Sequence, residues 1–338
     1  MTNILIIYTG GTIGMVNDPK TGALIPFDFK QIQQNVPELG RLNYNLDVYS
    51  FDPILDSSNM TPEIWADIAK LIRDKYDDFD GFVILHGSDT MAFTASALSF
   101  MLENLSKPVV LTGSQLPIGE IRTDAKENLI TALEIAATKK KGKAMIPEVC
   151  IYFDYQLFRG NRSIKYNSEK FEAFRSPNYP ILAEAGVTLS FFNNYILPQP
   201  LEDFKVHLEL NPNIGVLKLY PGISPQAVKA ITLSSVDAIV METFGSGNTT
   251  TAEWFTDCLE EAIKNGKIIV DITQCQRGSV ELGMYQTSKK LQQMGVLSGY
   301  DMTFEATTTK LMYLMGQGLE KTEIARLIEK PLRGELTV

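Results

Sequence analysis

The sequence predicts an α/β protein of two parallel-sheet, three-layer domains, a larger N-terminal one and a smaller C-terminal one. Three observations lead there. Short continuous runs of branched apolar residues recur, as in Ile4-Leu5-Ile6-Ile7, Gly81-Phe82-Val83-Ile84-Leu85 and Ile268-Ile269-Val270, the pattern of strands buried on both faces. Segments with apolar residues at helical spacing lie between them. A length of 338 residues corresponds to about two domains, each able to bury its own core. The expected division is 1–190, a connection over 191–213, and 214–338, because Phe191-Phe192-Asn193-Asn194 and Pro198-Gln199-Pro200 break the alternation.

The chain opens on the strand at Ile4 and turns through Tyr8-Thr9-Gly10-Gly11-Thr12-Ile13-Gly14. Gly10 and Gly11 allow a tight bend and let backbone N–H groups approach a ligand, while Thr9 and Thr12 bring two hydroxyls there. The spacing lacks both GxGxxG and GxxxxGK[ST], which weakens a phosphate-cradle reading. Residues 15–26 carry two prolines and a glycine without a sustained period, and read as a lid or a plain connector. Val48-Tyr49-Ser50-Phe51 leads to Asp56-Ser57-Ser58-Asn59. Thr61 and Pro62 then start a helix as N-cap and first helical residue, with Ile64, Trp65, Ile68, Leu71 and Ile72 facing the core.

The strand ending at Leu85 opens into His86-Gly87-Ser88-Asp89-Thr90, and Val109-Val110-Leu111 into Thr112-Gly113-Ser114-Gln115. Four strands thus end in turns rich in Ser, Thr, Gly or Asp. In an open parallel sheet those ends share one edge, where ligands bind. A helix is expected from about Asp124 towards Lys139, with Lys139-Lys140-Lys141-Gly142-Lys143 terminating it. Val149-Cys150-Ile151-Tyr152-Phe153 is a further strand, followed by a basic turn, Phe158-Arg159-Gly160-Asn161-Arg162-Ser163-Ile164-Lys165. The alternation resumes at Val216, Ile239 and Ile269 in a second sheet.

Composition narrows the function. A formal net charge of -9 argues against a nucleic-acid surface. Cys150, Cys258 and Cys275 form neither a disulfide framework nor a CxxC pair. The amino terminus shows no signal-peptide pattern and no apolar stretch reaches membrane-spanning length, so a cytoplasmic, membrane-free protein is expected. Only His86 and His207 are present, without GxSxG or HExxH, which leaves neither an ordinary Ser-His-Asp elbow nor a zinc site. His207 reads as a surface residue. Hydroxyl, amine and carboxylate remain. Thr12 is placed to attack an acyl carbon, with turn N–H groups as oxyanion donors. A carboxylate beside an amine favours its charged form, so Ser88, Asp89 and Lys165 read as a hydrogen-bonded proton relay.

These segments resemble the bacterial-type L-asparaginases. Thr9-Gly10-Gly11-Thr12-Ile13-Gly14, Asp56-Ser57-Ser58-Asn59-Met60 and His86-Gly87-Ser88-Asp89-Thr90-Met91 carry the likeness. Thr112-Gly113-Ser114-Gln115, Arg159-Gly160-Asn161-Arg162 with Lys165, and Leu332-Arg333-Gly334-Glu335-Leu336-Thr337 extend it along the chain, nearest to the cytoplasmic type I branch. The resemblance implies flavodoxin- or Rossmann-like domains and hydrolysis of L-asparagine to L-aspartate and ammonia, without a cofactor or metal. Thr12 matches the nucleophile, and Ser88, Asp89 and Lys165 the second catalytic group. Gly11 belongs to the oxyanion turn. Ser57, Ser58 and Asp89 match the groups that hold the ligand's amino and carboxylate ends, and Ser114 the position whose backbone meets the side-chain amide. Asn248 matches a residue offered by a neighbouring subunit, implying a homodimer or homotetramer.

Three departures stand out. Ser88 replaces the usual Thr, leaving its rotamer less constrained. Leu24 sits where many relatives have a lid Tyr. Around Cys275, Glu242 stands where a regulatory pocket wants Arg and Ile164 where it wants a hydroxyl, so no strong cooperativity is expected. The rival readings are a glutaminase-leaning enzyme, a component of a tRNA-dependent amidotransferase, which should carry extra sequence for its partner, and a silent amino-acid sensor.

Overall fold

Backbone pairing turns the apolar runs into one large sheet and one small one. The computed structural model describes residues 1–17, 24–26, 36–283 and 286–338. They fall into two compact units, Met1–Leu208 and Glu209–Val338.

In the first unit the sheet strands are β1 (Thr2–Gly10), β2 (Tyr44–Leu55), β3 (Gly81–Leu85), β4 (Val109–Thr112), β5 (Val149–Phe153), β6 (Gln156–Arg159), β7 (Ala183–Ala185) and β8 (Leu189–Phe191). Their order across the sheet is β8-β7-β6-β5-β4-β3-β1-β2. The five strands β2-β1-β3-β4-β5 are parallel. The remaining three are antiparallel, so the expected parallel sheet is extended into a mixed one. The added strands have no periodic signature because they are short hairpin arms. Asp154 and Tyr155, both at positive φ, make the two-residue turn from β5 to β6.

Three helices cover the parallel part: α1 (Pro62–Asp74), α2 (Met91–Met101) and α3 (Ala125–Ala137). Thr61 and Pro62 begin α1 as expected, and Trp65, Ile68, Ala69 and Ile72 are its buried face. On one side of the sheet Ile4, Ile6, Val83, Leu85 and Val110 pack with Leu129, Ala132, Leu133 and Ala136 of α3. The basic run does not end that helix. Thr138 is its C-cap, and Lys139–Lys140 pairs with Lys143–Ala144 in a hairpin, with Lys141 and Gly142 at positive φ. A two-residue turn of that hand requires left-handed residues at both positions, and Gly142 meets half of the requirement without strain. The basic turn at 158–165 is largely covered from solvent. Arg159 and Arg162 are buried, and the Arg159 Nε donates to Glu148 Oε2 at 2.6 Å. Residues 191–208 belong to the first unit, where Lys205–Val206 pairs with Leu102–Glu103.

The second unit holds a four-stranded parallel sheet in chain order, β9 (Ile214–Lys218), β10 (Ala238–Thr243), β11 (Ile268–Thr273) and β12 (Leu297–Ser298). Its helices are α4 (Pro225–Thr232), α5 (Glu253–Lys264), α6 (Gln286–Met294), α7 (Phe304–Gly316) and α8 (Lys321–Ile328). Ile239, Met241 and Ile269 form its core with Val228, Phe255, Leu259 and Leu291. A fully buried ion pair ties in the segment that follows α8. Lys310 Nζ lies 2.6 Å from Glu335 Oε1 and donates to the Ile328 and Lys330 carbonyls, while Glu335 accepts the Leu332 and Arg333 N–H groups. Removing one partner of such a pair costs about 3–5 kcal/mol, because the other charge is left buried.

Asp271 on β11 is also wholly buried, and neither carboxylate oxygen has a hydrogen bond among the described residues. Burial pushes its carboxyl up to about 8, against a smaller opposing effect of the Thr243 hydroxyl. The folded chain therefore keeps a proton that the unfolded chain loses near pH 4, so stability falls as pH climbs from about 4 to about 8. Asp271→Asn is expected to flatten that fall. Melting temperatures from pH 5 to 8 should show the variant gaining on the wild type as pH rises, and parallel curves would refute the assignment.

Candidate active site

Four turns leave the carboxyl ends of β1, β2, β3 and β4 and meet at the glycines of the first, third and fourth. A Cβ at Gly11 would stand 2.5 Å from the Gly87 N and 2.8 Å from the His86 carbonyl carbon. One at Gly87 would stand 2.5 Å from Ser57 Oγ, and one at Gly113 would stand 2.5 Å from the His86 carbonyl oxygen. Gly10, at φ +144°, approaches Leu55 O so closely that no side chain has room. The turns after β1 and β3 thus touch at the point where the strand order reverses, the place at which open α/β sheets bind ligands.

The two hydroxyls of the first turn have different fates. Thr9 is buried and donates to the Leu85 carbonyl at 2.9 Å, so it fastens β1 to β3. Thr12 is half-buried in a short 3-10 turn, Thr12–Gly14, and its hydroxyl makes no hydrogen bond among the described residues. Tyr8 supports that turn by donating to the Gly14 carbonyl at 2.8 Å. Burial drives the Tyr8 phenol pKa well up, so it stays a neutral donor. The residues that would close over the turn are another matter. Residues 18–23 of the segment read as a lid lie outside the described residues, and its flanks, Met15–Asn17 and Leu24–Pro26, pair antiparallel.

Ser57 is buried and Ser58 exposed, both in the 3-10 turn Ser57–Asn59. Asp56 caps it by accepting the Ser58 N–H at 2.9 Å, and Thr90 donates to the Ser57 carbonyl at 2.7 Å. Lys165 reaches the third turn from the short strand Ile164–Lys165, which pairs with Phe174–Arg175. Its Nζ donates to Ser88 Oγ at 2.9 Å and to the Asp89 carboxylate. The hydroxyl, amine and carboxylate expected to form one group are therefore in direct contact, with Lys165 mostly covered and Asp89 open to solvent. Asn248 belongs to the second unit, where it closes a tight turn by pairing with Phe244.

His86 is part of the scaffold. Its Nδ1 lies 2.6 Å from the Gly87 carbonyl, which only accepts, so Nδ1 carries the proton. Nε2 then accepts from the Thr94 hydroxyl at 2.9 Å, and the Thr94 oxygen accepts from the Trp65 indole. Burial holds the imidazole down to about 4, so it stays neutral. Sequence reading missed Asp56, Thr90, Asp124 and Asn128 as supports. Asp124 was visible only as a helix start, yet its carboxylate accepts the Gln115 and Leu116 N–H groups.

Comparison with known proteins fits this geometry. Residues 3–197 match the family described as Asparaginase, N-terminal, and residues 213–328 match the Glutaminase/Asparaginase C-terminal domain. The chain belongs to the asparaginase family. It is 43% identical to L-asparaginase 1 of Escherichia coli K12, over 99% of this chain and 98% of that one. The crystal structure of L-asparaginase I from Vibrio cholerae superposes with a TM-score of 0.91 at 42% identity, covering 100% of this chain and 99% of that one. The thermostable L-asparaginase from Thermococcus kodakarensis superposes with the same TM-score, 0.91, at 33% identity, covering 100% of both chains. This asparaginase-family enzyme has no helix among its described residues long and apolar enough to cross a membrane.

Gly87→Ala tests the contact between turns. The added methyl must displace the Ser57 side chain, whose Oγ and Cβ it would meet at 2.5 and 2.7 Å, and a misplacement of about 1 Å costs on the order of 10²-fold in rate. The expected outcome is a folded protein, by circular dichroism, that has lost at least that much activity. Full activity would show that the turns need not touch.

Proposed function

We propose that the chain hydrolyses L-asparagine to L-aspartate and ammonia through an acyl-enzyme at Thr12. The observation that carries this reading is the half-buried Thr12 hydroxyl, unbonded among the described residues, in the turn packed backbone to backbone against the turn that bears Ser88 and Asp89. Thr12 Oγ attacks the carboxamide carbon and its proton leaves with the departing ammonia. Water then cleaves the ester, releasing aspartate and restoring the hydroxyl. Backbone N–H groups of the Gly11 turn meet the oxyanion. Ser88, Asp89 and Lys165 pass protons and orient the attacking water, for which their contact distances are suited.

Ser57, Ser58 and Asp89 take the amino and carboxylate ends of the substrate, and the Ser114 backbone takes the amide. Asn248 reaches the site of a neighbouring subunit in a cytoplasmic homodimer or homotetramer. No cofactor or metal enters the scheme. Strong cooperativity is not expected, because Glu242 stands where the family's regulatory pocket wants Arg; its carboxylate pairs with Lys218 at 3.3 Å.

Ammonia release from L-asparagine and L-glutamine by wild type and Thr12→Ala tests this. Loss of about 10³-fold or more in the variant is expected, the scale of removing a nucleophile. The wild-type curve against asparagine should be hyperbolic. No ammonia from either amide would defeat the hydrolase reading, faster release from glutamine would shift the substrate, and a sigmoidal curve would restore a second site.

A further inference from the structure

The clamp beneath the Ser114 turn has no role in the chemistry above. Asp124 starts α3 but caps none of that helix's own N–H groups. Its carboxylate turns back to accept the Gln115 N–H, at 3.0 and 3.2 Å, and the Leu116 N–H at 3.1 Å. One turn along, Asn128 donates to the Gly113 carbonyl at 2.9 Å and to Asp124 Oδ2 at 3.3 Å, and accepts the Asp154 N–H at 3.2 Å. The peptide groups on both sides of Ser114 are therefore held from one helix.

A trans peptide is planar, so the Ser114 carbonyl points opposite to the Gln115 N–H. Fixing that N–H on Asp124 aims the carbonyl away from the clamp. A negatively charged acceptor on the N–H also draws electron density onto the carbonyl oxygen, making it a stronger acceptor. Ser114 is buried and its hydroxyl donates to Leu116 O at 2.6 Å, so the hydroxyl proton is engaged within the turn. What the turn offers a ligand is a carbonyl, and a carbonyl recognises an N–H.

We infer that Asp124 is a positioning residue that aims and polarises the Ser114 carbonyl as the acceptor for the substrate's carboxamide NH₂, setting preference for an amide over an acid or ester. The inference rests on the asparagine reading given above. It also accounts for product release, since aspartate presents a carboxylate oxygen to a carbonyl lone pair.

The test is KM for L-asparagine, read by ammonia release, beside the constant with which L-aspartate β-methyl ester competes; as an alternative substrate that releases methanol, the ester keeps the amino and carboxylate ends and lacks the N–H. Neither constant depends on the folded fraction of a preparation. In Asp124→Asn the KM is expected to rise about tenfold, the scale of one charge-assisted hydrogen bond, with the ester constant within about twofold. Asp124→Glu should recover part of the loss. Two constants that move together, or do not move, overturn the inference. If Asp124→Asn does not fold, Asn128→Ser, which frees the other flanking peptide, is read by the same pair of constants. A wild type that releases no ammonia from asparagine defeats the reaction first and this inference with it. An active wild type with proportional losses defeats the inference alone.

Discussion

Backbone meeting backbone is the constraint on which the site depends. Gly11 lies against the Gly87 backbone and Gly113 against the His86 carbonyl, while Gly87 also lies against the Ser57 side chain, each closer than an added side chain permits. Glycine at such positions costs roughly 0.5–1 kcal/mol of extra chain entropy relative to Ala. Rigid flanking strands offset it: Ile4, Ile6, Ile7, Val83, Ile84 and Leu85 are fully buried, so each turn begins from a fixed point. The same geometry explains why the cluster sits beside β1. Strand order reverses there, and the turns after β1 and β3 leave in a way that opens a crevice between them.

Polar groups divide into those the fold has satisfied and those it has left for a ligand. His86, Thr94 and Trp65 form a closed chain of donors and acceptors, and Arg159 is neutralised by Glu148 while donating to the Tyr195 carbonyl. Such buried networks rigidify when complete. Thr12 stands apart because its own scaffold does not occupy it, whereas Thr9, three residues earlier, is wholly taken up by Leu85. The difference between the two hydroxyls lies in the packing of β1 on β3 and leaves no trace in the local sequence.

The central strands were legible because branched apolar runs, each closing on a polar turn, have few other readings. The convergence of Thr12, Ser57, Ser88 and Ser114 followed from parallel topology. The antiparallel extension was not legible: Gln156–Arg159 and Ala183–Ala185 are too short to show a period, and their pairing is decided by neighbours. Lys139–Lys140 read as a helix end because positive charge there suits the dipole, yet Lys141 and Gly142 turn the chain into a hairpin. The burial of Arg159 and Arg162 leaves no sign in the basic turn itself, because it depends on Glu148 and on the Tyr179 ring, 4.4 Å from the Arg159 guanidinium. Asp124 was hidden for a related reason, since an Asp at a helix start ordinarily serves its own helix.

The buried pair of Lys310 and Glu335 ties closure of the second unit to residue 335. Until residue 335 has left the ribosome, the Lys310 ammonium on α7 has no carboxylate to meet, and closing the second unit around it would strand a charge in an apolar interior. The first unit, complete at Leu208, is under no such restriction and can fold while the rest of the chain is still being made. The pair thus makes closure of the second unit, but not of the first, depend on a residue at its far end.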